Sequence, residues 1–332
     1  MSDFRSDNTH GASAEIIEAI ARVAGGTVAS YGSDPITARL RERCRELFAT
    51  DLDILPVFSG TAGNALAIAA MTPPWGGVFC HDEAHIHRDE EGAPEFFTHG
   101  AKLFPLPSRD GRLTPEQVAR KIDEIALEGR TAKPACVSLT NATEAGTIYR
   151  ASEVRAIADV AHSRGCRVHV DGARFANAVV SSGESVADLT WRAGVDILVF
   201  GATKNGAMAA ELLVIFDRSL TEELTIRWHR GGHRLSKMRF LSAQLDAYLA
   251  DDLWLRNARH ANAMAARLAD GLRAKGVELL RPVEANVVFA RLPRVPEGAT
   301  LYEWALYGEH VYRLVTGFST TAEEVDAFLA RL

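Results

Sequence analysis

The chain has 332 residues, 47% of them apolar and 24% charged, with a formal net charge of −6. These proportions describe a globular chain of about two domains with a sizeable core. They argue against nucleic acid as a partner, and no apolar run is long enough to span a bilayer.

The N-terminus, Met1-Ser2-Asp3-Phe4-Arg5-Ser6-Asp7, is polar and has no signal-peptide core. Ile16, Ile17, Ile20 and Val23 recur at helical spacing behind Ser13, a plausible N-cap. Thr37 to Phe48 reads as a charged amphipathic helix, and residues 54–58 as a strand. Ser59-Gly60-Thr61-Ala62-Gly63-Asn64 opens an Ala-rich helix to Met71, followed by a strand over 77–80. A helix over 113–126 has Thr114-Pro115-Glu116 as cap and first turn. Strands over 135–139, 168–171, 197–200 and 210–216 follow, with a helix over 153–163 between the first two. This order predicts an α/β fold with a mostly parallel sheet covered on both faces, whose ligands bind outside the carboxyl ends of the strands. Beyond Phe240 the character changes to a long helical stretch over 241–275, strands over 287–290 and 312–315, and a last helix from Thr321. The expected division is a large domain over 1–250 and a small C-terminal α/β domain over 251–332. Cys44, Cys80, Cys136 and Cys166 are widely spaced with no CxxC pair, which fits reduced thiols in a cytoplasmic protein.

Two strand ends carry the chemistry. His169-Val170-Asp171-Gly172-Ala173-Arg174 and Val199-Phe200-Gly201-Ala202-Thr203-Lys204 each run from apolar strand into polar residues and glycine. A lysine and an aspartate so placed suit pyridoxal 5′-phosphate. The lysine amine forms a Schiff base with the cofactor aldehyde, and the carboxylate keeps the pyridine nitrogen protonated so that the ring acts as an electron sink. Ser59-Gly60-Thr61 at a strand-to-helix turn reads either as a phosphate cradle, with Thr203 adding a hydroxyl, or as an ordinary capped helix. His85 follows a strand and is a candidate to stack on the cofactor ring. His81, His85 and His87 have no helical spacing or completing pair for a metal site. Arg174 reads as either an ion-pair partner of Asp171 or a fork for a substrate carboxylate. Arg313, inside an apolar strand, is a second carboxylate candidate. GxGxxG, GxxxxGK[ST] and GxSxG motifs are absent.

Eight segments in order resemble the low-specificity L-threonine aldolases of the aspartate-aminotransferase fold type I. They are Arg5-Ser6-Asp7-Asn8, Tyr31-Gly32-Ser33-Asp34-Pro35, Ser59 to Asn64, Glu83-Ala84-His85, Ser138 to Glu144, His169 to Arg174, Thr203-Lys204 and Arg313-Leu314-Val315-Thr316. The resemblance implies Lys204 as the Schiff-base lysine, Asp171 as pyridinium partner and His85 on the ring. It implies Gly60 and Thr61 on the phosphate, and Ser6, Arg174 and Arg313 on the substrate carboxylate. Arg234 is expected to reach a neighbouring subunit's phosphate, with Tyr31 near that interface, in a homodimer or homotetramer with shared active sites. The implied reaction splits L-threonine, L-allo-threonine or a related β-hydroxy-α-amino acid into glycine and an aldehyde. β-Elimination or transamination on the same fold, and a weakly catalytic cofactor-binding protein, stay open as alternatives.

Two segments depart from the family pattern. The stretch over 125–131 lacks the second active-site histidine common in the family, leaving His85, Glu128 or water to take the β-hydroxyl proton. Pro293 to Ala299 is too short and too rich in Pro and Gly for the usual small-domain helix.

Overall fold

The computed structural model describes residues 2–332. In chain order its strands are β1 (Ser2–Asp3), β2 (Asp53–Val57), β3 (Gly76–His81), β4 (Lys102–Leu106), β5 (Lys133–Thr140), β6 (Arg167–Gly172), β7 (Ile197–Gly201), β8 (Glu211–Ile215), β9 (Glu278–Leu279), β10 (Val287–Arg291), β11 (Ala299–Thr300), β12 (Tyr302–Glu303) and β13 (Val311–Val315). A seven-stranded sheet has the order β2-β8-β7-β6-β5-β3-β4. Pairings from β4 to β7 are parallel, and β8 is antiparallel to both β7 and β2. The central strands are continuous apolar runs because helices cover both faces, as the alternation of elements predicts.

This topology gathers one edge. The carboxyl ends of β2, β3, β5, β6 and β7 point the same way, and antiparallel β8 begins there. Glu211, its first residue, is in register with both Val57 and Gly201. Helix Gly60–Met71 leaves this edge at the end of β2 and is buried nearly all round. A Cβ on Gly63 would stand 2.8 Å from Val199 Cγ1, so glycine is what lets the helix lie this close to β7.

Two apolar cores share one long helix. Leu253, Trp254 and Ala258 of helix Leu253–Ala274 join the large core, while Ala265, Leu268 and Leu272 join a second one. The expected boundary at 250/251 therefore falls just before an element common to both. Phe4 lies in the second core, against Phe328, and β1 pairs with β11, so the first residues pack with the C-terminal unit. The small sheet has the order β12-β13-β10-β9. Between β10 and β13 there are only short strands and a 3-10 turn (Ala305–Tyr307), as the Pro- and Gly-rich composition predicts.

Several local expectations shift. The helical stretch over 241–275 is two helices, Arg239–Leu249 and Leu253–Ala274, broken where Asp251 and Asp252 take positive φ of 49° and 56°. Aspartate tolerates that region better than most residues. Ser13 precedes helix Ala14–Arg22 as expected, but its hydroxyl makes no capping bond. Instead Asn257 donates to it, and Ser13 packs on Gly206, whose φ is +112°. Strand β4 and helices Ala93–Thr98, Phe175–Ser182 and Thr221–Arg230 carry weaker sequence patterns and are further elements of the fold.

Candidate active site

At the gathered edge a cavity of about 270 Å³ is lined by Asn8, Ser59, Gly60, Thr61, Asn64, His85, Asp171, Thr203, Lys204 and Glu211, among others. Residues spread from 8 to 211 in sequence thus face one space because the carboxyl ends of β2, β3, β6 and β7 and the start of β8 open onto it, with Asn8 supplied by the N-terminal turn. Lys204 sits in a 3-10 turn (Thr203–Asn205) immediately after β7.

The turn after β2 has free donors. Ser59 is the N-cap, and its Oγ accepts from Ala62 N–H at 3.2 Å. The first N–H groups of a helix have no intrahelical acceptor, so those of Gly60 and Thr61 are available to an anion at the positive end of the helix dipole. A Cβ on Gly60 would meet no protein atom within 4 Å, so the bare glycine leaves space for a ligand.

Asp171 is 2% exposed and fully organised. Its Oδ1 accepts from Ala173 N–H and its Oδ2 from Asn64 Nδ2, each at 2.9 Å. Asn64 Nδ2 also donates to Glu90 Oε1 at 2.8 Å, and that oxygen bonds His85 Nδ1 at 2.8 Å. Asp171, Asn64, Glu90 and His85 therefore form one continuous chain. Burial pushes the Glu90 carboxyl up, against the bond from His85. The same bond to Glu90 pushes His85 up, against its burial. His85 opens a helical turn, His85–Arg88, rather than an irregular loop. His81 bonds Ser108 instead, so the two histidines serve different partners.

Glu211 is buried beside Lys204. Its Oε2 accepts from Ala202 N–H at 2.7 Å, and burial pushes its carboxyl up to about 7. The Thr203 hydroxyl is engaged with the backbone of Ala210, donating to O at 3.3 Å and accepting from N at 3.2 Å.

Arg174 has a partner that the sequence reading did not assign. Its Nε and Nη2 donate to Asp7 at 2.7 and 2.9 Å, and Asn286 Nδ2 donates to the same carboxylate at 3.0 Å. The local pair with Asp171 does not form; the remaining guanidinium nitrogen, Nη1, is 3.9 Å from Glu144. Burial alone would raise the Asp7 carboxyl, but Arg174 and the nearby Lys204 hold it below the usual carboxylate range. The Asp7 turn packs against the Lys204 turn, which places Asn8 in the cavity.

The other expected residues, Ser6, Tyr31, Arg174, Arg234 and Arg313, are not part of the cavity lining. Ser6 Oγ caps its own turn, accepting from Asn8 N–H at 3.2 Å. Arg234 is exposed, its guanidinium 5.8 Å from the ring of Tyr31, which is itself half exposed with φ of 57°. Glu128 and the exposed stretch after it precede β5, at the opposite end of the sheet from the cavity. Glu128 therefore serves no base role in its own subunit's site. Asp7, Asn64, Glu90 and Glu211 were missed as site residues. Asp7 and Asn64 lie within the recognised segments, while Glu90 and Glu211 carry only the weak signal of carboxylates beside apolar runs.

Residues 3–294 match the family model described as beta-eliminating lyase. A low specificity L-threonine aldolase of Pseudomonas aeruginosa is 42% identical over 97% of this chain and 94% of its own length. The chain belongs to the low-specificity L-threonine aldolase family. A relative of the same name from a Pseudomonas species is also 42% identical, over 87% of this chain and 84% of its own. The solved Leishmania major threonine aldolase superposes with a TM-score of 0.93 at 28% identity, covering 99% of this chain and 98% of that one. An aspartate aminotransferase of Thermus thermophilus, at 16% identity and a TM-score of 0.72, shares the fold type I architecture. The chain is accordingly a lyase whose cofactor is pyridoxal 5′-phosphate. The residues fit that group: a free-donor helix start for the phosphate, a buried oriented carboxylate for a pyridinium, and a lysine in the same cavity. Asn64 Oδ1 and Glu90 Oε2 are buried there without partners. No helix among the described residues is long and apolar enough to cross a membrane.

Proposed function

We propose that this chain cleaves L-threonine, L-allo-threonine or a related β-hydroxy-α-amino acid to glycine and an aldehyde, with Lys204, His85 and Asp171 as its catalytic residues. The observation that carries this reading is the convergence of those three side chains and the Ser59–Thr61 turn on one cavity. Bound pyridoxal phosphate supplies an electron sink for the pair released when the Cα–Cβ bond breaks. Lys204 Nζ would carry the cofactor, with Gly60 and Thr61 N–H groups on its phosphate and Asp171 against its ring nitrogen.

Asp171 keeps a fixed orientation because Ala173 and Asn64 hold one oxygen each. His85 is the base in reach for the β-hydroxyl proton. Its Nδ1 is tied to Glu90, which leaves Nε2 as the nitrogen for the substrate proton on a ring that lines the cavity, and the bond to Glu90 favours the charged imidazole. Arg174 and Arg313 bind the substrate carboxylate, with Ser6 beside them. Asp7 takes Arg174 Nε and Nη2, so Nη1 is the edge left for substrate, on a guanidinium that loses little freedom on binding.

Arg234 and Tyr31, together on an exposed surface, are proposed to meet a neighbouring subunit in a homodimer or homotetramer. The division near residue 250 and a cytoplasmic location belong to the same proposal. The test is glycine and aldehyde release from L-threonine, L-allo-threonine and L-phenylserine, with Lys204→Ala as control. Release by the wild type alone supports the reading. Cofactor bound without any release sinks it.

A further inference from the structure

The segment between β10 and β13 holds one of the two departures from the family pattern, and it is aromatic: Tyr302, Trp304 and Tyr307. Strand β12 sets it against β13 through Tyr302↔Arg313 and Glu303↔Tyr312. Trp304 N–H then donates to Val311 O at 2.7 Å. In the adjoining pair, Phe289 and Arg313 are direct cross-strand neighbours. Trp304 and Tyr307 both pack on Phe289, with centroids 5.9 and 4.8 Å away.

Arg313 is half-buried and its guanidinium lies 4.6 Å from the Trp304 ring centroid. Among the described residues no carboxylate is within ion-pair distance of it, and its Nε is buried without a partner. Arg174, Glu144, Asp7 and Asp89 supply the surrounding charges. An aromatic face is therefore the fixed support of this cation. A π face attracts a guanidinium without a carboxylate's claim on its N–H groups, which a resident carboxylate would occupy. Tyr307 ties the same turn to the large domain. Its hydroxyl donates to Glu83, two residues before His85, and Arg281 lies 3.9 Å from its ring centroid.

We propose that Trp304 is a positioning residue for Arg313. Its indole face holds the guanidinium so that the N–H edge meets the substrate carboxylate, and the Tyr307–Glu83 bond latches the turn that presents it. The proposal rests on the reading of Arg313 as a carboxylate-binding residue.

The test uses the holoenzyme and the variants W304F, W304L, R313A and W304L/R313A. KM and kcat for L-threonine are measured alongside glycine binding at equilibrium, read from the cofactor absorbance. R313A is expected to weaken glycine binding and raise KM more than about tenfold, as loss of charge-assisted bonds does. W304L is expected to raise both about three- to thirtyfold, the range of a cation–π contact, with kcat changed less than about twofold. W304F keeps a π face and stays near wild type, and the double variant is no worse than R313A. If W304L does not fold, W304M carries the same comparison. Unchanged glycine binding in the Trp304 variants, with R313A impaired, overturns the role of Trp304 alone. Unchanged binding in R313A overturns the reading of Arg313, and the role of Trp304 falls with it.

Discussion

Replacing Asp7 with alanine removes the carboxylate that holds Arg174 and leaves the guanidinium in place. Asp7 is 2% and Arg174 5% exposed, so water cannot take over the lost bonds. Two N–H···O contacts from Arg174 and one from Asn286 vanish together, and the nearest remaining anion, Glu144, is 3.9 Å from Nη1. Orphaning one member of a buried pair costs about 3–5 kcal/mol. Native stability is commonly about 5–15 kcal/mol, so the loss is a large share. The exposed pair Arg267–Asp326 is an internal control, since it is just as short at 2.6 Å but its side chains are 48% and 52% exposed. Asp326→Ala should therefore lower the unfolding midpoint far less than Asp7→Ala does. The assay is guanidinium unfolding of the cofactor-free protein at one fixed protein concentration, followed by tryptophan fluorescence. Asp7→Leu combined with Arg174→Met should regain much of the loss, because no charge is left buried alone. Equal costs for Asp7→Ala and Asp326→Ala would refute the reasoning, which makes burial rather than distance decide the energy.

The other expectations concern titration, packing and the catalytic lysine. His169 is fully buried, and burial lowers its pKa to about 4. Below about pH 6.5 the unfolded chain takes up a proton that the folded one refuses. Stability is thus lost as pH falls from about 6.5 to about 4, by up to about 3 kcal/mol; His169→Gln should flatten this limb in melts across that range. Glu211 has the opposite sign. Its folded carboxyl, near 7, holds a proton that the unfolded chain gives up near 4.5, so its contribution declines as pH rises between those values. In the cofactor-free protein, Glu211→Gln should remove that decline, and an unchanged pH profile would count against it. Gly63→Ala should cost about 1–3 kcal/mol through its 2.8 Å clash with Val199, measured as a lower unfolding midpoint. Lys204→Ala should abolish turnover while the phosphate cradle still retains cofactor in equilibrium dialysis; wild-type rates in that variant would end the proposed mechanism.

The sequence by itself determined the alternation of most strands and helices in the large sheet, though not β4 or three of the helices, and the strand ends that carry chemistry. Apolar runs ending in Asp171-Gly172 and Gly201-Ala202-Thr203-Lys204 are legible because a buried parallel strand must be apolar throughout and polar where it emerges. The Ser59 cap was legible for a similarly local reason, and so was the lack of a helix within the Pro- and Gly-rich segment after β10. Only the tertiary structure decided the partners. Arg174 is three residues from Asp171 but bonds Asp7, which is 167 positions away. Asn64 joins Glu90 to Asp171 across strands that sequence order keeps apart. Glu211 enters the site because its strand runs antiparallel and so begins where its neighbours end. Periodicity encodes which face of an element is buried. It does not encode which buried polar groups meet, because that depends on strand order and register, fixed only when the whole sheet assembles.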